Sequence, residues 1–253
     1  MSEFPSPPRS ARMAAKQWRA LATPSTDRTF DAAMAEALPD RARRWLSRSI
    51  APGAPLAAAV CLTMSGEIKL GAWRRFTATQ ILRPGVGFVW AATARVAGVP
   101  VLGFDRYTGG SGEMRWRLGG LVPVMSAADD DVTRSAAGRL AIESVLLPTA
   151  CVGMRWSEDE QGLHLHSAID GHENTVDVTI GEDGRLGGAQ LQRWGTPPGG
   201  DFGLHTFGVS VDEERDFGGV SIASAFRAGW WWGTDRQDEG EFFRARVSSA
   251  LFR

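Results

Sequence analysis

The chain has 253 residues, enough to bury one sizeable core, with 28 basic and 29 acidic residues and a formal net charge of -1. So even a balance, spread along the whole chain, removes the electrostatic case for nucleic acid or an anionic membrane surface as partner. Its two cysteines, Cys61 and Cys151, are too few for a disulfide scaffold and read as free buried thiols.

Residues 1–26 open on the run Pro5-Ser6-Pro7-Pro8 and are expected to be extended or disordered. Proline and arginine stand where a signal peptide needs an uninterrupted apolar stretch, and no apolar run reaches the roughly 18 residues of a spanning helix. A cytoplasmic location with no transmembrane segment is therefore expected. Residues 27–253 read as a single domain. Phe30, Met34 and Leu38 recur every four residues until Pro39 interrupts them, and a second helical stretch runs from Asp40 through Trp45 and Leu46 towards Pro52. The two predict a helical hairpin over 27–53.

From residue 54 the period changes to two, and breaks at Ser65-Gly66, Pro84-Gly85, Gly109-Gly110, Asp170-Gly171, Asp183-Gly184 and Pro197-Pro198-Gly199-Gly200 cut the chain into strand lengths. Met114, Trp116 and Leu118 share one face of a strand against Glu113, Arg115 and Arg117. Val176, Val178 and Ile180 repeat the pattern, as do Phe243, Ala245, Val247 and Leu251. One segment departs from this rhythm. Residues 129–147 begin with three acids, carry Val132, Ala136 and Leu140 in line, place Arg139 four residues before Glu143, and end at Pro148, which predicts an inserted helix. The fold expected is mainly β (α+β): a strongly curved antiparallel sheet or half-barrel of about ten strands, with the N-terminal hairpin and the inserted helix packing on or plugging it.

Several stretches carry a resemblance. They are Leu38-Pro39-Asp40 to Trp45-Leu46, Gly66-Glu67 to Phe76-Thr77-Ala78, and Gly87-Phe88-Val89-Trp90-Ala91-Ala92. Further on come Asp105-Arg106-Tyr107-Thr108-Gly109-Gly110-Ser111-Gly112, Leu118-Gly119-Gly120-Leu121-Val122-Pro123-Val124, and Arg139-Leu140-Ala141-Ile142-Glu143 leading to Leu147-Pro148-Thr149-Ala150. Over about residues 38–252 the chain resembles an uncharacterised bacterial family catalogued as a domain of unknown function. Its strand order is similar to half-barrels of the lipoprotein-carrier type, which implies an antiparallel sheet wrapped round a helix with a concave face that holds acyl chains. That is a likeness of fold, which leaves function to the site.

The chemistry-bearing residues admit more than one reading. His164 and His166 share a strand face at a spacing that suits zinc, with His172 and Glu173 at the following turn as candidates for the further ligand such a site needs, and exposed histidines on a solvated face explain the pattern equally. Gly109-Gly110-Ser111-Gly112 opens no helix and reads as a hairpin turn, and Asp129, Asp130 and Asp131 read as helix-capping acids. Asp105 and Tyr107 alternate on one strand, and Arg139 and Glu143 lie on one face of the inserted helix. Together the four make either a structural ion-pair cluster or the polar part of a ligand site.

The chain holds ten tryptophans, more than a core of this size requires. Phe88, Trp90, Met114, Trp116, Trp194 and Trp232 are accordingly candidates for the apolar wall of a cavity. In the run Trp230-Trp231-Trp232 the middle ring should face away from its neighbours. The leading expectation is non-enzymatic binding of a hydrophobic small molecule or lipid, with no cofactor and no metal. An enzyme using the Asp105, Tyr107, Arg139 and Glu143 cluster is the alternative, and an interaction module using the Trp230 region is a third.

Overall fold

Short turns between alternating segments leave each strand with one obvious partner, its neighbour in the chain, and the computed structural model is built on that pairing. It describes residues 4–22 and 27–253. The first meander comprises β1 (Val60–Leu70), β2 (Ala72–Arg83), β3 (Gly87–Val96), β4 (Val99–Thr108), β5 (Ser111–Leu118) and β6 (Val122–Ala127). The second comprises β7 (Arg155–Asp159), β8 (Gly162–Ile169), β9 (His172–Ile180), β10 (Leu186–Gly195), β11 (Gly203–Asp216), β12 (Ser221–Trp230) and β13 (Glu241–Phe252). The two meanders join where β1 pairs antiparallel with β13, giving one 13-stranded sheet in the order β6-β5-β4-β3-β2-β1-β13-β12-β11-β10-β9-β8-β7. The edges, β6 and β7, stay unpaired to one another, so the sheet is not closed.

The count of thirteen exceeds the expected ten. Alternation is weakest at the two edges, where one side of the ladder is open and does not enforce it. β6 is Val122-Pro123-Val124-Met125-Ser126-Ala127, almost wholly exposed and interrupted by proline, and β7 is five residues of mostly polar sequence.

The segment between the edges forms α3 (Asp130–Glu143), somewhat shorter than predicted because the chain tightens to a 3-10 turn over Ser144–Leu146. Asp129 caps it, its carboxylate accepting from the Val132 amide at 2.9 Å. The helix touches β4 and β5 of one meander and β8, β9 and β10 of the other. In the strand order β5 and β10 stand eight places apart, roughly 38 Å in a flat sheet. A helix about 10 Å across meets both only if the sheet curls over it. The concave face and α3 together bury the larger core, which includes Leu62, Phe88, Trp90, Leu140, Leu163, Leu191 and Phe226.

The other face of the central strands is covered as well. Residues 9–21, expected as part of an extended segment, form a 3-10 turn (Arg9–Ala14) running into α1 (Ala15–Leu21). Trp18 and Leu21 pack on Cys61, Ile81, Val89, Ala91 and Phe104, and the Trp18 indole donates to the Pro5 carbonyl at 3.0 Å. The stretch carries little local signal because only seven residues are helical and its stability comes from docking. What was expected of residues 1–3 and 23–26 lies outside the described residues.

The helical hairpin over 27–53 is half present. α2 (Asp40–Ser49) forms as expected, whereas Ala32–Ala35 makes only a 3-10 turn, begun by the Asp31 carboxylate on the Ala33 amide. Phe30 instead exchanges backbone hydrogen bonds with the 53–54 region, holding this part extended. A bulge in β13 between Val247 and Ser249 also reverses the alternation. Phe243, Ala245 and Val247 face the larger core, but beyond the bulge Ala250 does so and Leu251 packs on the convex side.

Candidate functional site

The curl of the sheet leaves a cavity of about 630 Å³ between α3 and the concave face, reaching from β3–β6 across to β10–β13. Helical periodicity explains the α3 contribution: Val132, Ser135, Ala136, Arg139, Ile142 and Glu143 fall on one stripe and all line the space. The strands supply mostly apolar side chains, among them Phe88, Trp90, Phe207, Phe226, Trp230 and Phe243. Exposed Leu70, Met125 and Phe202 mark its mouth.

A polar cluster sits in this apolar wall. Arg139 Nε donates to Glu143 Oε1 at 2.7 Å and Nη1 to Asp105 Oδ2 at 3.3 Å, while its guanidinium lies over the rings of Phe88 (4.6 Å) and Trp90 (5.3 Å). The Trp116 indole donates to Asp105 Oδ1 at 2.9 Å and Gln80 Nε2 to Glu143 Oε2 at 2.6 Å. Burial pushes the Asp105 pKa up against the opposing pull of Arg139 and Trp116. Arg193 enters from β10. Its Nε and Nη2 donate to the Ser135 carbonyl (3.0 Å) and hydroxyl (3.2 Å), and its guanidinium lies 4.6 Å from the Phe207 ring. Burial, reinforced by Arg139, brings its pKa down to about 9, so it stays cationic at neutral pH.

Of the residues singled out from sequence, Phe88, Trp90, Asp105, Met114, Arg139 and Glu143 line the cavity together. Trp116 stands behind them, tilted against Trp90 at 5.7 Å between ring centroids and holding Asp105. Three others are elsewhere. Tyr107 is buried and its hydroxyl donates to Asp170 in the β8–β9 turn; burial, reinforced by that carboxylate, pushes its pKa up. The Asp105–Tyr107 pairing expected from alternation is therefore not assembled, because one strand repeat carries Tyr107 to the far end of β4.

Trp194 lies at a different face of α3, donating to Asp131 at 2.8 Å under the guanidinium of Arg134. It lines a second, polar pocket of about 500 Å³ that also includes His172, Glu173 and Gln192. Trp232 packs over Gly208, where a Cβ would meet its ring at 2.5 Å. Alternation misplaces this tryptophan because β12 ends at Trp230 and Trp231 takes a left-handed φ of 52°. Trp230 is the member of the run that lines the cavity.

The residues missed from sequence carried two usable signals. Phe207, Val209 and Val211 alternate in β11, and Arg193 follows Ala189 and Leu191 on the apolar face of β10. The histidine pair is committed otherwise. His164 holds Asp177 (2.8 Å) through Nδ1 and Asp159 (3.0 Å) through Nε2, and His166 meets the Ser157 and Thr175 hydroxyls. Both cysteines are free and buried, with thiol pKa values pushed up to about 12 by desolvation. No helix among the described residues is long and apolar enough to cross a membrane.

Among curated proteins no relative matches the chain. Similar solved structures include a domain described as an outer membrane lipoprotein-sorting protein from Vibrio parahaemolyticus (11% identity, 78% of this chain and 86% of that one, TM-score 0.38). A DUF1329 family protein from Desulfovibrio piger is another (12% identity, 84% and 90%, TM-score 0.39). A LolA superfamily protein from Nitrosomonas europaea is a third (10% identity, 78% and 86%, TM-score 0.39). The profile of DUF6920, described as a family of unknown function, matches residues 36–252, and the chain belongs to that family.

Proposed function

We propose that the protein binds a hydrophobic small molecule or lipid, with a flexible acyl chain as the best-fitting class, in the cavity between α3 and the concave sheet. The observation that carries this reading is the cavity itself: about 630 Å³, walled by aromatic and aliphatic side chains and open at a hydrophobic rim. That lies within the range of small-molecule sites and is about four times the ~150 Å³ void that takes up benzene. Folding alone favours closing such a space, because every apolar side chain left facing it forfeits dispersion contacts. An alkyl chain laid along the rings recovers them, at about 0.8 kcal/mol for each methylene removed from water. The polar groups round Arg139 and Arg193 lie inside the space and give the ligand's polar end a place to sit.

Titration with a homologous series of fatty acids, followed by tryptophan fluorescence, tests the reading, together with native mass spectrometry of gently purified protein. Affinity should rise about three- to fivefold per added methylene until the cavity is full, and Ala228→Trp should shorten the longest chain accepted. Absence of co-purified lipid together with fluorescence that ignores chain length would sink the proposal.

A further inference from the structure

We infer that the polar end of this ligand is an anion, a carboxylate or phosphate head, and that Arg193 is the residue that receives it. The inference rests on the hydrophobic-ligand reading and concerns the same cavity. Its basis is a difference among the three arginines lining the cavity, of which Arg106 is paired with Glu113 at 2.6 Å. Arg139 is balanced by two carboxylates, Asp105 and Glu143, within ion-pair distance. Arg193 has none among the described residues: Nε and Nη2 are spent on Ser135, and Nη1 donates no hydrogen bond. Glu143 and Asp105 act on it only from further away, opposed by Arg139. A guanidinium set against the rings of Phe207 and Trp230, partly removed from water and without a contacting counter-ion, is a costly arrangement unless an anion completes it.

The seat is specific to this side chain. Where Arg193 crosses α3 the helix has Gly138, and a Cβ there would stand 3.0 Å from Arg193 Cγ. A mid-helix glycine is unfavourable relative to alanine, and here it admits the aliphatic stem so that the head reaches the cavity. Ser135, which fixes the guanidinium, lies one helical turn before Arg139, so both cations flank the same stretch of wall. The rings of Phe207, Trp230 and Phe226 continue from that point as a surface for the chain. A fork of N–H donors at the start of an aromatic wall matches an amphiphile with a compact anionic head.

Laurate, dodecanol and dodecyltrimethylammonium, all below their micellar concentrations, separate head from chain. Binding to wild type, Arg193→Met and Arg193→Lys is read by tryptophan fluorescence and calorimetry. Wild type should bind laurate about tenfold or more tighter than dodecanol and should disfavour the cation. Arg193→Met should lose that preference, its affinities for laurate and dodecanol becoming alike, and Arg193→Lys should keep part of it. Equal affinity of wild type for laurate and dodecanol overturns the anion assignment and leaves the hydrophobic-ligand reading standing; no binding of either overturns both. A laurate preference that survives in Arg193→Met overturns the role of Arg193. Should that variant fail to fold, full retention of the preference in Arg193→Lys, where the fork is gone, counts against the assignment in the same way.

Discussion

Arg139 of α3 and Asp105 of β4 meet at 3.3 Å across the cavity wall, in a pair whose side chains are 17% and 18% exposed. With Glu143 and Gln80 they tie the inserted helix to the first meander, and Arg193 ties it to the second through Ser135. The polar network therefore holds the helix across the curl of the sheet, so disturbing it should alter stability as well as binding.

Arg139→Met should lower stability by about 3 kcal/mol, because it leaves Asp105 and Glu143 partly buried and uncompensated. The triple replacement Asp105→Leu, Arg139→Met, Glu143→Leu should recover most of that loss. Urea midpoints of the two variants check the claim, and equal loss in both would mean that packing, and not charge, holds the helix.

His164 and His166, with ring centroids 6.4 Å apart, should titrate in opposite directions from the ordinary histidine value. Hydrogen bonding to Asp159, helped by Asp177, raises the pKa of His164, while burial and then Arg155 lower that of His166. The stabilisation from His164 is fully present below the unfolded value and is lost as pH rises through the raised folded pKa; that from His166 is lost as pH falls. The two partly cancel in global unfolding, so site-resolved NMR titration is the measurement. In Asp159→Asn the His164 titration should move down.

Trp18→Ala should undock the N-terminal helix, at a cost of about 3 kcal/mol for the emptied site. Cys61 lies in the same convex cluster, its thiol held unreactive by burial. A thiol reagent applied to the folded protein should label Cys61 faster in the variant, while Cys151, in the larger core, stays protected.

Ala97→Asn should stabilise by about 1 kcal/mol. The β3–β4 hairpin turns on Ala97 and Gly98, with φ of 49° and 82°, so an alanine occupies a left-handed position that asparagine tolerates better. Thermal unfolding of the single variant reads this directly, with ligand binding unaffected.

Much of the fold was legible because alternation is a local property. The hairpin at Gly109-Gly110 and the helix start at Asp129 follow from local spacing, whereas Glu113, expected on the wet face, is buried and paired with Arg106 and Arg115. Where spacing was locally broken, reading failed: the bulge in β13 reversed the faces of Ala250 and Leu251, and the left-handed Trp231 ended the strand before Trp232. The edge strands β6 and β7 carry little alternation because an open ladder does not demand a pattern.

By itself the sequence determined that this chain forms an antiparallel sheet interrupted by one helix, since periods of two and of about 3.6 are written into consecutive residues. It also brought Asp105, Arg139 and Glu143 together as candidates, through one strand face and one helix turn. Only the tertiary structure decided that Tyr107 belongs to Asp170, that Trp194 lines another pocket, and that Arg193 faces the cavity. Those outcomes depend on how far thirteen strands curl and which strand ends meet the helix. Curvature accumulates from the twist of every pair in the sheet, and no single stretch of sequence records it.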